Sequence, residues 1–510
     1  MERKWWTLIL ISIATFMLLL DITVVNVALP DIQRDLNASL SSLQWVVDAY
    51  SLTLAAFLLT AGSLGDRLGR RRVFTFGFGI FTFASFLCGI SGDPTLLNLA
   101  RGLQGVGGAA MFATSLALIG QEFEGRERAT AFGVWGATIG GAVAIGPLVG
   151  GVITEHLGWE WIFFVNIPIG VLAIFLTEVR LANVAAQDAA RVDLPGLVTF
   201  SGGLFLLIFG LIRGNPEGWG SGEIVASLGG AVVLLLAFLA IESRSTHPML
   251  DLTLFRKPAF NGVSAVAFGL SAGMFAMFLY LTIYMQGVLD YSPLETGLRF
   301  LPLTFLSFFA SPIAGSLSHK VPIRVLLGIG LGLVGTGLLL MHGLTAESGV
   351  SALIVGFILA GIGIGTANPG IGQAAIAVVP VQKAGMGSGI NTTFRQVGIA
   401  TGVASLGAIF QARVDSKLAE LLPNAPGGLG EVVSSGGSRA AAAAVGPAQR
   451  PEVTHAAKVA FVSGFNEILM IGAILSFVAA ALGLALVRPQ DFVQPGQAEP
   501  EGTEAEPVAA

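Results

Sequence analysis

The stretch FMLLLDITVVNVALP, residues 16–30, holds Asp21 in an otherwise apolar run with no basic neighbour. Asp48, Arg101 and Arg395 sit in similar surroundings. Burial and a second acid raise a carboxyl's affinity for its proton, whereas an arginine, which keeps its own proton, lowers it. Two acids and one base in a shared buried place therefore suit proton exchange. A permanently ionised pair that only ties helices together is the alternative for Asp21 and for Asp48.

Composition sets the elements that must hold these residues. The 510-residue chain is 54% hydrophobic and 12% charged, with a mean hydropathy of +0.78. Continuous apolar runs of about 20 residues recur throughout, enough at 1.5 Å per residue to cross a hydrocarbon core about 30 Å thick. The alternating runs of about ten residues that mark a membrane β-barrel do not fit. Spans are expected near 5–29, 42–64, 73–91, 95–119, 129–153, 161–177, 195–213, 222–241, 259–285, 295–316, 324–342, 350–378, 385–410 and 464–487. The chain thus reads as an all-α polytopic membrane protein with fourteen transmembrane helices. The first run is too long for a signal-peptide core and is expected to be retained.

Arg3, Lys4, Arg67, Arg70, Arg71, Arg72, Arg126 and Arg128 fall on one side of this arrangement, and Arg34 and Arg213 alone in the short loops opposite. The positive-inside rule then puts both termini in the cytoplasm. On this topology Asp21, Asp48 and Arg101 lie roughly 12, 9 and 9 Å below the outer surface, so one cluster is expected. Thr23, Asn26, Gln104, Tyr280, Tyr284, Asn368, Gln373, Asn391 and Arg395 are candidates to line a substrate pocket, with an interfacial belt an equal role for the tyrosines. Arg395 would attract an anionic group or meet a helix-end carbonyl.

Other chemistries find little support. The net charge of -5, with acids gathered in the last twenty residues, argues against nucleic-acid binding. One cysteine, Cys88, excludes a disulfide framework and a thiolate metal site, and His156, His247, His319, His342 and His455 are scattered, so no metal is expected. GLQGVGG, residues 102–108, neither follows a strand nor opens a βαβ unit, so it is not a dinucleotide fingerprint. With no nucleophile and base in view, an enzyme is not expected.

GSLGDRLGRR from Gly62 and GSLSHKVPIR from Gly315 each follow the second helix of a group. A parallel duplication of six-helix halves fits, leaving two central helices over. The expected division is 1–178 for one bundle, 179–258 for the extra pair, 259–487 for the second bundle with a flexible external loop at about 411–463, and a disordered cytoplasmic tail at 488–510.

Gly62, Asp66, Arg67, Gly69, Arg70 and Arg71 in the first loop, RGLQGVGGAA from Arg101, GPLVGG from Gly146, LDITVVNVALP and GSGINTTFRQVGIATG from Gly387 occur in order at matching topological positions. In these motifs, over about residues 5–487, the chain resembles the major facilitator superfamily, in particular its fourteen-span drug:proton antiporters of the EmrB/QacA type. The resemblance implies export of small amphipathic compounds across the cytoplasmic membrane of a bacterium by alternating access. Its partners would be substrate, protons and the lipid bilayer, with a proton gradient and no cofactor. It implies a charge latch around Asp66, with Glu122 and Glu124 as partners for Arg67 or Arg70, and a hinge surface at Gly146, Pro147, Gly150 and Gly151. The second loop departs from the first, with His319 and Lys320 in place of Asp66 and Arg67, and Glu160 stands where a base is common. A narrow exporter of one metabolite or antibiotic shares every motif, and a non-transporting sensor or assembly partner is the reading from another class. An adaptor protein is not specified by the low-complexity outer loop.

Overall fold

The computed structural model describes residues 2–38, 40–182, 193–245, 248–423, 428–443, 445–446 and 449–492. The predicted tail beyond 492, together with Arg191 and His247, lies outside these described residues.

Fourteen long helical segments occupy the predicted positions. They are α1 (Arg3–Asp35), α2 (Leu40–Leu68), α3 (Arg70–Gly89), α4 (Pro94–Glu122), α5 (Gly125–Leu157), α6 (Trp161–Arg180) and α7 (Leu194–Glu217). The series continues with α8 (Gly222–Glu242), α9 (Pro258–Val288), α10 (Pro293–Leu317), α11 (Ile323–Met341), α12 (Ser351–Ala377), α13 (Ala384–Leu421) and α14 (Arg450–Leu486). Among the described residues, thirteen helices are long and apolar enough to cross a membrane. The remaining predicted span falls in α5, which is 33 residues long. Helix is what a lipid environment selects, because it satisfies each segment's own backbone groups where no water is available.

Two sequence expectations change. The segment expected as a flexible loop at 411–463 is mostly helical: α13 runs on to Leu421, short helices cover Leu429–Ser434 and Ser438–Ala443, and α14 begins at Arg450. Arg213, expected in a short loop, is a buried residue inside α7.

The first six helices share one apolar core and the last six another. Small residues let the backbones close. Gly77 of α3 and Gly107 of α4 face each other, and a Cβ on Gly107 would lie 2.6 Å from the Phe81 nitrogen. Helix α5 meets α1 in the same manner, with Gly150 over Val24 and Gly146 over Thr23, and Trp135 Nε1 donating to Thr15 Oγ1 at 3.1 Å. The side chain of Pro147 lies outside the description. Such close approach is the usual source of helix association in lipid, where apolar burial gives no preference between protein and tails.

Between the halves, α5 packs on α10 and α2 on α13. Gly133 lies against Pro312, Gly315 against Ala129 O, Gly62 against Gly385, and Gly120 against Ile376. All these contacts lie between the helix midpoints and the end that carries Arg67 and Lys383, so that end is sealed. Helices α7 and α8 form a separate layer whose apolar residues pack on Leu52, Ala55 and Leu59 of α2 and on Met386, Ile390 and Ala400 of α13. Thr60 and Ser201 hydroxyls meet at 3.0 Å, and Asn215 Nδ2 donates to Ala404 O at 2.9 Å, so the extra pair covers the α2–α13 seam. On the other side, α1, α5 and α10 border an apolar recess of about 770 Å³ lined by Trp5, Phe16, Val134 and Phe308 among others.

A branched side chain at Gly150 would overpack the α1–α5 contact. Gly150→Val is expected to destabilise the fold by about 1–3 kcal/mol, read as a lower Tm in detergent, whereas Gly151→Ala, where a Cβ meets open space, is expected to leave Tm unchanged.

Candidate functional site

Asp21 and Arg101 form an ion pair at 2.5 Å between α1 and α4, with both side chains 1% exposed. The remaining donors and acceptors are nearly all used. Arg101 Nε donates to Val46 O of α2 at 2.9 Å and its NH1 also to Gln104 Oε1 at 2.6 Å. Gln104 Nε2 donates to Asp21 Oδ1 and to Ser85 Oγ of α3, both at 2.9 Å. Cys88 Sγ approaches Gln104 Oε1 at 3.8 Å, and Asn166 Nδ2 of α6 reaches Ser85 Oγ at 3.4 Å. The Tyr50 ring lies 4.4 Å from the Arg101 guanidinium carbon. One charge pair thus ties together α1, α2, α3, α4 and α6. A guanidinium, planar and with five donors, can make this many directed bonds.

Asp48 does not join this cluster. Tyr50 and Val46 face Arg101, and two residues from Tyr50 turn Asp48 about 200° around the helix. It shares instead the face of Gln44, one turn away, which accepts from Arg213 NH1 of α7 at 2.9 Å. The charge facing Asp48 is Arg213, which also bonds Glu217 at 2.6 Å. Depth placed Asp48 level with Asp21, but azimuth separates them.

At the sealed end, Asp66 accepts from the backbone N–H of Gly385 at 2.9 Å and of Met386 at 2.8 Å. These are two of the free N–H groups in the first turn of α13, so an acid on one half caps a helix of the other and meets the positive end of its dipole. Arg70 Nε and NH2 hold the same carboxylate at 3.1 and 3.0 Å, and its NH1 donates to Gln121 Oε1 at 3.2 Å and Ala117 O at 3.3 Å. Its NH2 also reaches Gln382 O at 3.4 Å. Gly69, at φ 100°, permits the turn between them. Arg67 NH2 donates to Pro248 O at 3.0 Å in the segment after α8, and Arg71 pairs with Glu178. Among the described residues Glu122 pairs with Arg3, at 3.8 Å, rather than with Arg67 or Arg70; it is the neighbouring Gln121 that meets Arg70.

The segment after α8 reaches the same region. Asp251 Oδ2 accepts from Lys383 Nζ at 3.0 Å, and Oδ1 from Thr253 N and Oγ1. Partial burial pushes the Asp251 carboxyl up, but the bonds from Thr253 and Lys383 outweigh this and hold it below its ordinary value. The bridge is therefore intact at and above that ordinary value of about 4 and is lost only as pH falls below it.

Residues 11–403 match the model of the Major Facilitator Superfamily. The chain belongs to that superfamily. It is 38% identical over 414 residues to the multidrug resistance protein Stp of Mycobacterium tuberculosis, covering 81% of this chain and 77% of Stp. It is 32% identical over 498 residues to the tetracenomycin C resistance and export protein of Streptomyces glaucescens, covering 94% and 91%. With the puromycin resistance protein pur8 of Streptomyces alboniger it shares 39% identity over 424 residues, 82% and 84% of the two chains. The human organic anion transporter MFSD10 has the same fold, at a TM-score of 0.60 and 12% identity over 93% of this chain and all of that one. This superfamily member is a transporter built as a multi-pass membrane protein.

The remaining candidates are dispersed. Thr23 bonds Leu19 O and Leu20 O and packs on Gly146, and Asn26, five residues beyond Asp21, is exposed and bonds Ile22 O. Gln104 is fully buried in the ion-pair network rather than open to a pocket. Tyr280 and Tyr284 belong to neither a belt nor a pocket; they are core residues that donate to Val403 O and Ser348 O, each at 2.8 Å. Gln373 accepts from Ser318 Oγ at 2.9 Å near the sealed end. Asn368 and Arg395 do meet, at 2.9 Å, with Asn391 one turn from Arg395. Ser85 and Asn166 join the site without having been expected there, and Arg213 joins it from α7 rather than from a loop; each is a polar residue within or adjoining an apolar run, which is the signal the sequence carries for them.

Asp66→Ala removes the acceptor of three charge-assisted partners. Spin labels at Arg126→Cys and Lys320→Cys, in a Cys88→Ser background, are expected to show the distance distribution shifting to longer values as the sealed state loses about 1.5–3 kcal/mol. An unchanged distribution would show that the cap does not hold the halves together.

Proposed function

We propose that this chain is a proton-coupled antiporter that exports drugs or other small amphipathic compounds across the bacterial cytoplasmic membrane, with both termini in the cytoplasm. The observation that carries the reading is the buried Asp21–Arg101–Gln104 network, a titratable acid held at the junction of five helices of one half. Relatives whose names are multidrug resistance, and resistance and export, proteins support the cargo class. The spread of Lys and Arg supports the orientation.

In this cycle, alternation moves the seal from one end to the other. With the Asp66 cap broken, the cytoplasmic end opens and an ionised Asp21 faces a site that accepts substrate. Once the cap forms, the site faces out. A proton reaching Asp21 removes the charge that holds Arg101, which reorders α1 against α4 and favours substrate release. The return step delivers the proton inside. The gradient supplies the work, and no cofactor is needed. A narrow exporter of a single compound is the second reading, favoured by relatives named for one antibiotic each.

Everted vesicles with an inside-acid gradient test both readings. Adding lipophilic cations, neutral drugs and anions in turn is expected to trigger proton release with the native protein and none, to the level of empty vesicles, with Asp21→Asn. Because breaking a buried pair costs about 3–5 kcal/mol, Asp21→Glu, which keeps a carboxyl, is run alongside and is expected to retain release. Release that survives Asp21→Asn and vanishes in Asp48→Asn would assign coupling to the other acid. A response to one compound class alone would establish the narrow exporter.

A further inference from the structure

Among the described residues, Arg395 is the one side chain charged at neutral pH in the middle of the second half's spans. Between residues 259 and 410 the acids are Asp290, Glu295 and Glu347, each in or beside a connection at the end opposite Lys383. Arg395 lies eleven residues into α13 from Ala384, about 17 Å along the helix. Among the described residues no carboxylate comes within 4.0 Å of it. Its recorded hydrogen bond goes to Asn368 Oδ1 of α12 at 2.9 Å, and the Phe275 ring of α9 lies 5.7 Å from its guanidinium carbon. Arg101, by contrast, bonds an acid, an amide and a carbonyl.

The neighbouring polar atoms lack partners in one consistent sense. Arginine has donors only, so Asn368 must turn its oxygen toward Arg395, which leaves the Asn368 amide nitrogen facing elsewhere. That nitrogen is buried with no hydrogen-bond partner, in a residue 1% exposed. The Asn391 amide nitrogen, about 6 Å along the same face of α13, is also buried and unpartnered, in a residue 3% exposed. A buried donor left unsatisfied costs about 1–3 kcal/mol, and more where charge is involved. The position thus combines an uncompensated cation with orphan N–H donors, and what it lacks is an acceptor carrying negative charge. It also adjoins α9 where the helix loosens into a π-helical turn at Ser271–Phe275, a distortion frequent at functional positions.

We propose that Arg395 and Asn368 form a substrate subsite for an organic anion, taking a carboxylate or an ionised phenol on an aromatic scaffold whose ring meets Phe275. The guanidinium supplies a bidentate donor pair, and Asn368, whose Oδ1 accepts from Arg395 NH2, orients that fork. This deepens the exporter reading and rests on it, since it names the class of compound that the second half recognises. The cation here also contrasts with the first half, where Asp21 is already paired with Arg101.

Binding is measured without any gradient, on protein in nanodiscs, by fluorescence anisotropy of two dyes with one xanthene core, fluorescein as the anion and a rhodamine ester as the cation. The native protein is expected to bind fluorescein more tightly. Arg395→Gln is expected to weaken fluorescein by about 10- to 100-fold and to leave the rhodamine ester no weaker. Arg395→Lys, which keeps the charge and loses the fork, should retain part of the preference, and Asn368→Ala should weaken fluorescein by about 2- to 10-fold. No fluorescein binding by the native protein, equal loss of both dyes in Arg395→Gln, or unchanged fluorescein affinity would each overturn the assignment. Because equilibrium binding needs no proton flux, failure of antiport in everted vesicles and failure of this subsite remain separate results.

Discussion

Arg101 sits where water cannot reach it and where its charge cannot be discharged, and much of the first half is organised by that fact. A guanidinium in such a place is tolerated only when an acid and several acceptors surround it. The acid comes from α1, the carbonyl from α2, the amide from α4 itself and the aromatic face from α2. Gln104 then passes the requirement on to Ser85 of α3, and through it to Asn166 of α6. Protonating Asp21 would therefore disturb contacts on several helices together, which is how a change of one charge becomes a rigid-body movement.

The two halves meet by a different logic. Glycines bring backbones into contact along α2–α13 and α5–α10, giving close fit but little directional preference. Direction comes from Asp66, whose carboxylate replaces the missing first-turn acceptor of α13 while Arg70 balances its charge. Breaking this joint exposes helix N–H groups at the membrane edge, where water can satisfy them. The joint is thus strong while closed and not prohibitive to open, as a switch between two states requires.

The helices and their order could be read from apolar run length and from the placement of Lys and Arg, because the bilayer imposes both. Side-chain partners were less legible. Depth along a helix follows from counting residues, but direction around it depends on neighbours, so Asp48 was placed with Arg101 and lies toward Arg213 instead. Glu122 was assigned to the wrong base because sequence does not show which helix crosses above it. Tyr280 and Tyr284 read as pocket or belt because two polar tips in apolar runs do not reveal the carbonyls they meet. The run of alanines at 440–444 carries a helical signal, since alanine has the highest helix propensity, although the segment's low complexity reads as a flexible loop. Arg213 read as a loop residue because the apolar run stops there, whereas α7 continues to Glu217 with Pro216 in its final turn.

The extra pair α7–α8 lies over one of the two seams between the halves and leaves the other bordered by an apolar recess. The molecule therefore presents unequal flanks to the bilayer. Along α2–α13 the sliding surfaces move against protein, with hydroxyl and amide bonds to α7 that must stretch or travel along. Along α5–α10 they move against acyl chains, whose order and thickness vary with lipid composition. Work done by lateral pressure thus enters from a single flank, and the lipid surroundings act on the opening and closing of this protein as an off-axis load.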